Sequence, residues 1–247
     1  MSEQATFWEH LDELRSVIIR SLLVVVVAAV AAFFLKDWLF SIVLAPRSSD
    51  FISYRLIGID EVFQISLMNT GLTEQFMTHM RVAIYAGLLL ASPYVLYQLF
   101  GFIAPGLYQN ERKAATWIGI SAYAMFLLGT LVNYLLIFPL TVRFLGTYQV
   151  SPDVANMLTL QSYIDTFIGM SFVMGVVFEL PVVCAILGKM GLINGRMMAQ
   201  YRRHAVVAIL IVSAIITPTT DAFTLLIVAL PIWLLYEVSI WIVRIKN

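Results

Sequence analysis

The side chain with the clearest chemical potential is Glu179, which lies inside a long apolar stretch, in residues 176–181 (VVFELP). An ionised, unpaired carboxylate at that depth in a membrane costs several kcal/mol, so we expect Glu179 to be protonated, paired or beside a wet cavity. Pro181 removes the backbone hydrogen bond to Val177 and predicts a kink here. Glu179 is either a functional intramembrane acid, which we favour, or a buried acid that serves packing alone.

Two other carboxylates, Glu13 and Glu111, lie beside apolar segments. Thr6 and Glu9 have the spacing of a capping box, which predicts that a helix begins there. Glu13 then belongs either to an interfacial helix that leads into the first span or to a surface that offers a carboxylate to a cationic partner; the pattern alone favours the first. Glu111 by itself is interpreted as a surface acid paired with the basic residues 112 and 113, a contact of little energy.

Thr217 and Asp221 flank a short polar turn between two apolar segments. Their residue types suit turn formation and capping of the helix that follows. Glu237, near the end of the last apolar segment, either reaches the membrane surface or pairs with another helix.

Motifs of catalysis and metal binding are missing from the sequence. His10, His79 and His204 are scattered without the spacing of metal ligands, and Cys184 is the single cysteine, so no intrachain disulfide or thiolate zinc site can form. No nucleophile elbow and no phosphate-binding loop is present. We therefore expect no enzyme activity, no cofactor and no metal. Nothing in the sequence predicts binding to nucleic acid.

The composition explains where these side chains must lie. Of the 247 residues, 61% are hydrophobic and 12% are charged, whereas soluble domains carry roughly a quarter charged residues. Lys plus Arg equals Asp plus Glu at 15 each, so the net charge indicates no partner. The sequence predicts an all-α polytopic membrane protein.

Six transmembrane helices are predicted from the apolar stretches. The fifth is too short to cross about 30 Å of hydrocarbon at about 1.5 Å per residue, so it calls for thinned or tilted bilayer. Acidic residues precede the first stretch, so we expect a retained span and not a cleaved signal peptide. The predicted spans are Val17–Leu39, Val82–Phe102, Thr116–Leu140, Tyr163–Leu187, His204–Thr217 and Ala222–Val243.

The distribution of Lys and Arg predicts the orientation. The N-terminal arm, the second and fourth loops and the tail hold ten of them, and the longer first and third loops hold five. Short loops rich in positive charge stay in the cytoplasm, so both termini are predicted to be cytoplasmic. We predict one six-helix membrane domain, 1–247, with a cytoplasmic amphipathic helix at 1–16, an outer cap loop of short helices at 41–80 and a second outer loop at 144–162.

Several motifs, in order along nearly the whole chain, resemble the TatC family, the multispanning receptor of the twin-arginine protein translocase. No single motif is decisive, but the ordered set is highly specific. The motifs are HLDELR (10–15), TEQF (73–76), PYVLYQ (93–98), FIAPGLY (102–108), ER (111–112), FELP (178–181), YRR (201–203), TP (217–218) with Asp221, ALP (229–231) and LYE (235–237).

The resemblance implies roles for particular residues. Glu111 and Phe102 fall on the family's signal-peptide site, Glu13 and Arg15 lie in the neighbouring N-terminal element, and Gln98 lies one turn before Phe102. Glu179 corresponds to the family's intramembrane acid, which we expect to face a lipid- or water-filled concavity above the short fifth helix.

The outer cap and the last hairpin are implied to contact partners. The residues concerned are Pro46, Glu74, Thr217 and Asp221. One position departs from the family pattern: four places after Asp221 the family often has a polar residue, and here it is Leu225.

The resemblance also implies short fifth and sixth helices, a bacterial inner-membrane location, and work with TatB-type and TatA-type single-span subunits. The protein would bind the twin-arginine signal peptides of export precursors, associate with itself in the receptor complex, and pass folded proteins using the proton gradient. Two other classes remain open: a proton- or ion-coupled small-molecule transporter that uses Glu179, and a scaffold that binds partner helices and reads no signal. The lack of a repeat and of a broken helix pair disfavours the transporter.

Overall fold

A computed structural model describes residues 7–58, 61–103, 112–149, 151, 157–217 and 221–246. Within these ranges the chain is nearly all helical, as the composition predicts. The helices are α1 (Phe7–Phe33), α2 (Lys36–Val43), α3 (Ile52–Leu56), α4 (Glu74–Ile103), α5 (Arg112–Val132), α6 (Phe138–Thr147), α7 (Leu160–Val177), α8 (Leu180–Lys189), α9 (Gly195–Gln200), α10 (Arg202–Ile216) and α11 (Ala222–Lys246).

Five helical segments of the described residues are long and apolar enough to cross a membrane. α10, with 15 residues, is about 22 Å long and falls short of a hydrocarbon core of about 30 Å, as predicted for the fifth span. α11 has 25 residues, so the sixth helix is longer than predicted. The five segments are Leu11–Phe33, Glu74–Phe102, Ile118–Thr147, Leu160–Lys189 and Ala222–Arg244.

The observed helix boundaries differ from the predicted ones at several ends. α1 begins at Phe7 and ends at Phe33, so the predicted amphipathic segment and the first span form one continuous helix. Residues 36–39, predicted to complete that span, belong to α2. No glycine or proline marks this break, which is why the hydropathy pattern runs through it.

The chain forms two compact units, Met1–Leu39 with His79–Ala124, and Phe40–Thr78 with Met125–Asn247. In the first unit, α1 packs closely on α4. A Cβ atom added to Gly87 would lie 2.5 Å from the backbone nitrogen of Ala29, so the two backbones meet where glycine leaves room. Nearer the other end of α1, the Nε2 nitrogen of His79 donates to the carbonyl oxygen of Phe33 at 3.0 Å.

In the second unit, α5 packs on α7 through a pair of glycines. A Cβ on Gly129 would lie 2.5 Å from the carbonyl oxygen of Met174, and one on Gly175 would lie 2.6 Å from the Phe126 ring. Small residues allow this close approach of two membrane helices, where dispersion contacts provide much of the attraction.

α8, α9, α10 and α11 are tied together at the end of the bundle that carries Lys189. Cys184, Met198, Ile240 and Val243 form a buried apolar cluster there. The Tyr236 hydroxyl donates to the carbonyl oxygen of Met198 at 2.8 Å. The guanidinium of Arg202 makes two hydrogen bonds of 2.7 Å to the Glu237 carboxylate. Glu237 thus pairs with another helix, one of its two predicted roles.

The predicted cap loop contains α3, a 3₁₀ turn at Ala45–Arg47 and a short strand, β1 (Leu67–Met68). β1 pairs in parallel with β2 (Leu158–Thr159), a contact that the sequence did not predict. Two-residue strands carry no readable periodicity.

Three tyrosine hydroxyls donate hydrogen bonds to backbone carbonyl groups at the end of α2 and in the turn after it. Tyr134 donates to Ile42 at 2.8 Å and Tyr163 donates to Val43 at 3.0 Å. Tyr54 lies 2.8 Å from the carbonyl oxygen of Pro46. These bonds satisfy acceptors that a helix end leaves open. Burial raises the pKa of Tyr54, which keeps its hydroxyl protonated and able to donate.

Candidate functional site

Glu179 lies at a break in the fourth predicted span. α7 ends at Val177 and α8 begins at Leu180, with Pro181 in the first turn of α8. The Glu179 backbone N–H donates to Val176 at 3.1 Å, a tightened turn in place of regular helix. The predicted interruption at Pro181 is therefore present.

The carboxyl group of Glu179 is buried, with 9% of the residue exposed. Neither of its oxygens has a hydrogen-bond partner among the described residues. Both oxygens are occluded, so the expectation that Glu179 faces an open concavity is wrong for this structure. A buried carboxyl group without a partner is costly, which makes this position unusual in a packed helix bundle.

Sequence reasoning missed Asn133, a second polar residue inside the bundle. Asn133 opens a π-helical turn, Asn133–Ile137, and its side-chain amide donates to the Ser171 hydroxyl at 2.7 Å. The residue is fully buried, and its Oδ1 has no hydrogen-bond partner among the described residues. An asparagine in the apolar run of the third predicted span was the signal that would have found it.

Glu13 and Arg15 lie on α1, where both side chains are exposed. Phe102 and Gln98 lie near the C-terminal end of α4 and are half-buried. All four belong to the first compact unit. Glu111 falls outside the described residues, so its predicted role stays a prediction.

The packing of α1 on α4 gives the relative height of these residues. Counted from the contact between Ala29 and Gly87, and at about 1.5 Å per residue, Glu13 lies about 24 Å along α1 and Phe102 about 23 Å along α4. The second contact, between Phe33 and His79, means that the two helices run in opposite directions. Glu13 and Phe102 therefore lie at the same end of the helix pair and at similar height.

Gln98 and Phe102 lie on one face of α4, since residues four apart are neighbours on a helix. The side-chain amide of Gln98 donates to the Tyr94 hydroxyl at 2.7 Å, one further turn back. α5 packs beside this face: a Cβ on Gly119 would be 3.8 Å from Tyr97. The end of α4 and the start of α5, which flank residues 104–111, thus lie at the same end of the unit.

Glu74 joins the starts of two helices. Its Oε2 accepts from the backbone N–H groups of Thr70 at 2.8 Å and Gly71 at 2.9 Å, and its Oε1 accepts from the N–H of Gln161 at 3.0 Å. The carboxylate therefore caps α7 as well as the turn before α4, which is an intramolecular role. The predicted contact of Glu74 with a partner stays a prediction.

The other residues predicted to contact partners have structural roles as well. Pro46 is buried in the 3₁₀ turn, where its carbonyl oxygen accepts from Tyr54. The Thr217 hydroxyl donates to Ser213 at 3.0 Å at the end of α10. Asp221 accepts from the N–H of Thr224 at 2.7 Å and so caps α11, as its position predicted. Among the described residues, no three His, Cys, Asp or Glu side chains come together as a metal site.

Known proteins are similar to this chain over nearly its whole length. Residues 9–231 match the family model described as Sec-independent protein translocase protein (TatC). TatC of Carboxydothermus hydrogenoformans is 33% identical over 240 residues, which cover 97% of this chain and 93% of that protein. TatC of Deinococcus radiodurans is 34% identical over 244 residues, with 98% and 86% covered.

Solved structures agree with the sequence relatives. A crystal structure of the twin-arginine translocase receptor TatC superposes with a TM-score of 0.79 at 30% identity, and covers 95% of this chain and 98% of its own. A second structure of that receptor, in the detergent DDM, gives the same TM-score at 29% identity. The family match, the near-complete coverage and the shared fold agree, and the chain belongs to the TatC family, the multispanning transport subunits of the Sec-independent protein translocase.

Proposed function

We propose that this translocase subunit is the receptor for twin-arginine signal peptides and the core of a machine that exports folded proteins, driven by the proton gradient. The observation that carries the proposal is the shared height of Glu13 and Phe102 at one end of the α1–α4 pair. In the predicted orientation this is the cytoplasmic end, where a precursor first meets the membrane. A solved relative is itself described as the twin-arginine translocase receptor.

Recognition rests on the difference between guanidinium and ammonium. Guanidinium is planar, always charged and weakly hydrated, and it binds a carboxylate through two parallel hydrogen bonds. A lysine ammonium cannot make that forked contact. Carboxylates at Glu13 and Glu111 that the bound signal shields from water would therefore select arginine. The face formed by Gln98 and Phe102 supports the hydrophobic part of the signal.

The proposal also includes the orientation of the chain in the membrane, its location and its partner subunits. With six spans, of which α10 is the short fifth, both termini lie on one side of the membrane, and the distribution of Lys and Arg supports the cytoplasm as that side. The proposed location is the bacterial inner membrane. TatB-type and TatA-type single-span subunits bind beside the chain, and copies of the chain associate in the receptor complex. The family assignment favours this role over a small-molecule transporter that uses Glu179.

Glu179 is proposed to serve the translocation step. A buried carboxyl group without a partner is ready to accept a polar group from an inserted signal or a partner helix, once the packing at the α7–α8 break opens. Single-span partners are proposed to contact Thr217 and Asp221 at the last hairpin, and Pro46 and Glu74 in the outer cap. The hydrogen bonds described above hold these residues in place.

The test is a pull-down of the full chain in detergent with a twin-arginine peptide and with its twin-lysine version. We expect capture of the first at least about tenfold above the second, since guanidinium makes two parallel bonds to a carboxylate where ammonium makes one, and about 1.4 kcal/mol corresponds to a tenfold change in affinity. Glu111→Ala and Glu13→Ala should each reduce capture without changing thermal unfolding.

The matched control is Asp37→Ala, which removes an exposed acid in the first turn of α2. Capture by this variant should equal that of the wild type. Equal capture of both peptides by the wild type, or full capture by Glu111→Ala, contradicts the receptor role.

A further inference from the structure

A cleft of about 460 Å³ lies along the flank of the first turns of α7. All its lining residues belong to the second compact unit. The polar part of the lining is made by the hydroxyls of Thr159, Ser162 and Thr166, with Gln161 and the exposed Asp165 beside them. None of the roles proposed above uses this cleft.

The cleft is open because two elements leave space beside α7. α10 ends at Ile216, which lines the cleft, and at about 22 Å it is too short to cover the whole flank. Gly169 contributes no side chain, it is exposed, and a Cβ there would meet no atom within 4 Å.

The polarity of the lining changes with depth. The membrane segment Leu160–Lys189 has 30 residues and is about 45 Å long, so its ends extend into the headgroup layers on either side of about 30 Å of hydrocarbon. The polar groups of the cleft come from Thr159 and the first two turns of this segment, at the boundary between headgroups and hydrocarbon. The deeper lining residues, Met170 and Ile216, are apolar. An amphiphile with a polar head and an apolar tail matches this order.

The charge of the lining selects the kind of head. Among the described residues that line the cleft, Asp165 is the one with a charge, and none is Lys, Arg or His. Two of the N–H groups at the start of α7, the kind that attracts phosphate in other helices, are engaged: that of Gln161 donates to Glu74 and that of Ser162 donates to the Thr159 hydroxyl. The cleft thus offers hydroxyl, amide and carboxylate acceptors, and it disfavours an anion.

We infer that this cleft binds the primary ammonium headgroup of a membrane phospholipid of the phosphatidylethanolamine class. The ammonium donates up to three hydrogen bonds, to the Asp165 carboxylate and to the hydroxyls of Ser162 and Thr166. One acyl chain runs past Gly169 along Met170 and Ile216. In the proposed orientation the lipid comes from the outer leaflet.

The experiment measures which lipids the purified full chain retains. The protein is exchanged into detergent that holds equal amounts of phosphatidylethanolamine, phosphatidylcholine and phosphatidylglycerol, and bound lipid is counted by native mass spectrometry. We expect phosphatidylethanolamine to exceed phosphatidylglycerol about fivefold, the effect of one charge near a membrane surface. Phosphatidylcholine, whose trimethylammonium donates no hydrogen bond, should fall between the two.

Two variants locate the binding. Gly169→Leu puts a side chain into the path of the acyl chain, at a position where its Cβ has open space, and Asp165→Asn removes the charge. Each should bring the ratio close to one. Gly101→Leu is the control, because Gly101 is another exposed membrane-helix glycine with open surroundings that does not line the cleft. A wild-type ratio near one, or an excess that survives Gly169→Leu, overturns the proposal. Loss of a co-purified single-span partner from Gly169→Leu with an unchanged lipid ratio would assign the cleft to a protein and also overturns it.

Discussion

Glu179 and Asn133 are polar residues that the bundle buries without satisfying every acceptor. Asn133 has one partner, Ser171, and an Oδ1 without one, and Glu179 has no side-chain partner among the described residues. A chain selected for stability alone would have apolar side chains at such positions, because each unsatisfied buried polar group is destabilising. The Glu179 carboxyl group is therefore the position for which we propose a use outside the resting structure.

Replacement of Glu179 by leucine should separate stability from transport. Glu179→Leu keeps the volume and removes an unpartnered polar group, so the free energy of unfolding should rise by about 1–3 kcal/mol. Export of a twin-arginine precursor should be lost. Unfolding in detergent followed by circular dichroism, with an export assay in vesicles, measures both quantities.

Glu179→Gln is the matched variant, since it keeps the shape and leaves a polar amide in the same surroundings. It should gain less stability than Glu179→Leu. If Glu179→Leu unfolds more easily than the wild type, the carboxyl group is contributing to packing and the functional interpretation fails.

For single residues, the sequence predicted the features that depend on near neighbours in the chain. The break at Pro181 and the cap at Asp221 both follow from rules that act within four residues. The multiple bonds of Glu74 were not readable, because Gln161 lies 87 positions away in the chain. The same holds for Tyr163 and Val43, which are 120 positions apart.

The packing of α5 on α7 depends on how closely the two helix backbones approach each other. Gly129 faces the Met174 carbonyl where no Cβ has room, whereas Gly169 on the same α7 faces open space. Glycine is therefore required at position 129, whereas position 169 has room for a larger side chain.

Alanine at these two glycines should have opposite effects. Gly129→Ala must push α5 and α7 apart, so unfolding in micelles should become easier by about 1–3 kcal/mol. Gly169→Ala should be neutral or stabilising by up to about 1 kcal/mol, because alanine favours helix over glycine. Equal effects of the two substitutions would mean that the close approach at Gly129 contributes nothing to stability.

Hydropathy predicted the positions of the long helices, since a run of about 20 apolar residues forms few structures other than a transmembrane helix. It did not predict their ends. Residues 7–16 read as a separate amphipathic segment because their charges lower the local hydropathy, yet they continue α1 without a break. The π-helical turn at Asn133–Ile137 and the β1–β2 pair left no signal either, since both arise from packing between segments distant in the chain.

For the whole molecule, the length of α10 sets a demand on the bilayer. As a membrane span, a helix of 15 residues would leave about 8 Å of a hydrocarbon core of about 30 Å unmatched, so the membrane would thin locally or the helix would draw polar neighbours inward. The exposed Arg202 and Arg203 at its start would hold that end at the membrane surface.

Bilayer thickness should therefore change the stability of the protein. In phosphatidylcholine vesicles of short, medium and long acyl chains, we expect resistance to thermal unfolding to be highest in the shortest. A variant with one helical turn of leucines inserted in the middle of α10 should move the optimum to thicker bilayers. An optimum that is the same for both proteins would show that α10 is not matched to the membrane.

The break between α7 and α8 also makes α7 a lever. α7 has 18 residues and is about 27 Å long, so a rotation of about 10° at Glu179 moves its far end by about 5 Å. α8 is held in place by its apolar cluster with α9 and α11, in which Cys184 packs with Met198, Ile240 and Val243. That far end is where the Gln161 N–H donates to Glu74, so a small rotation at Glu179 would strain the bond that a second acid makes at the other end of α7.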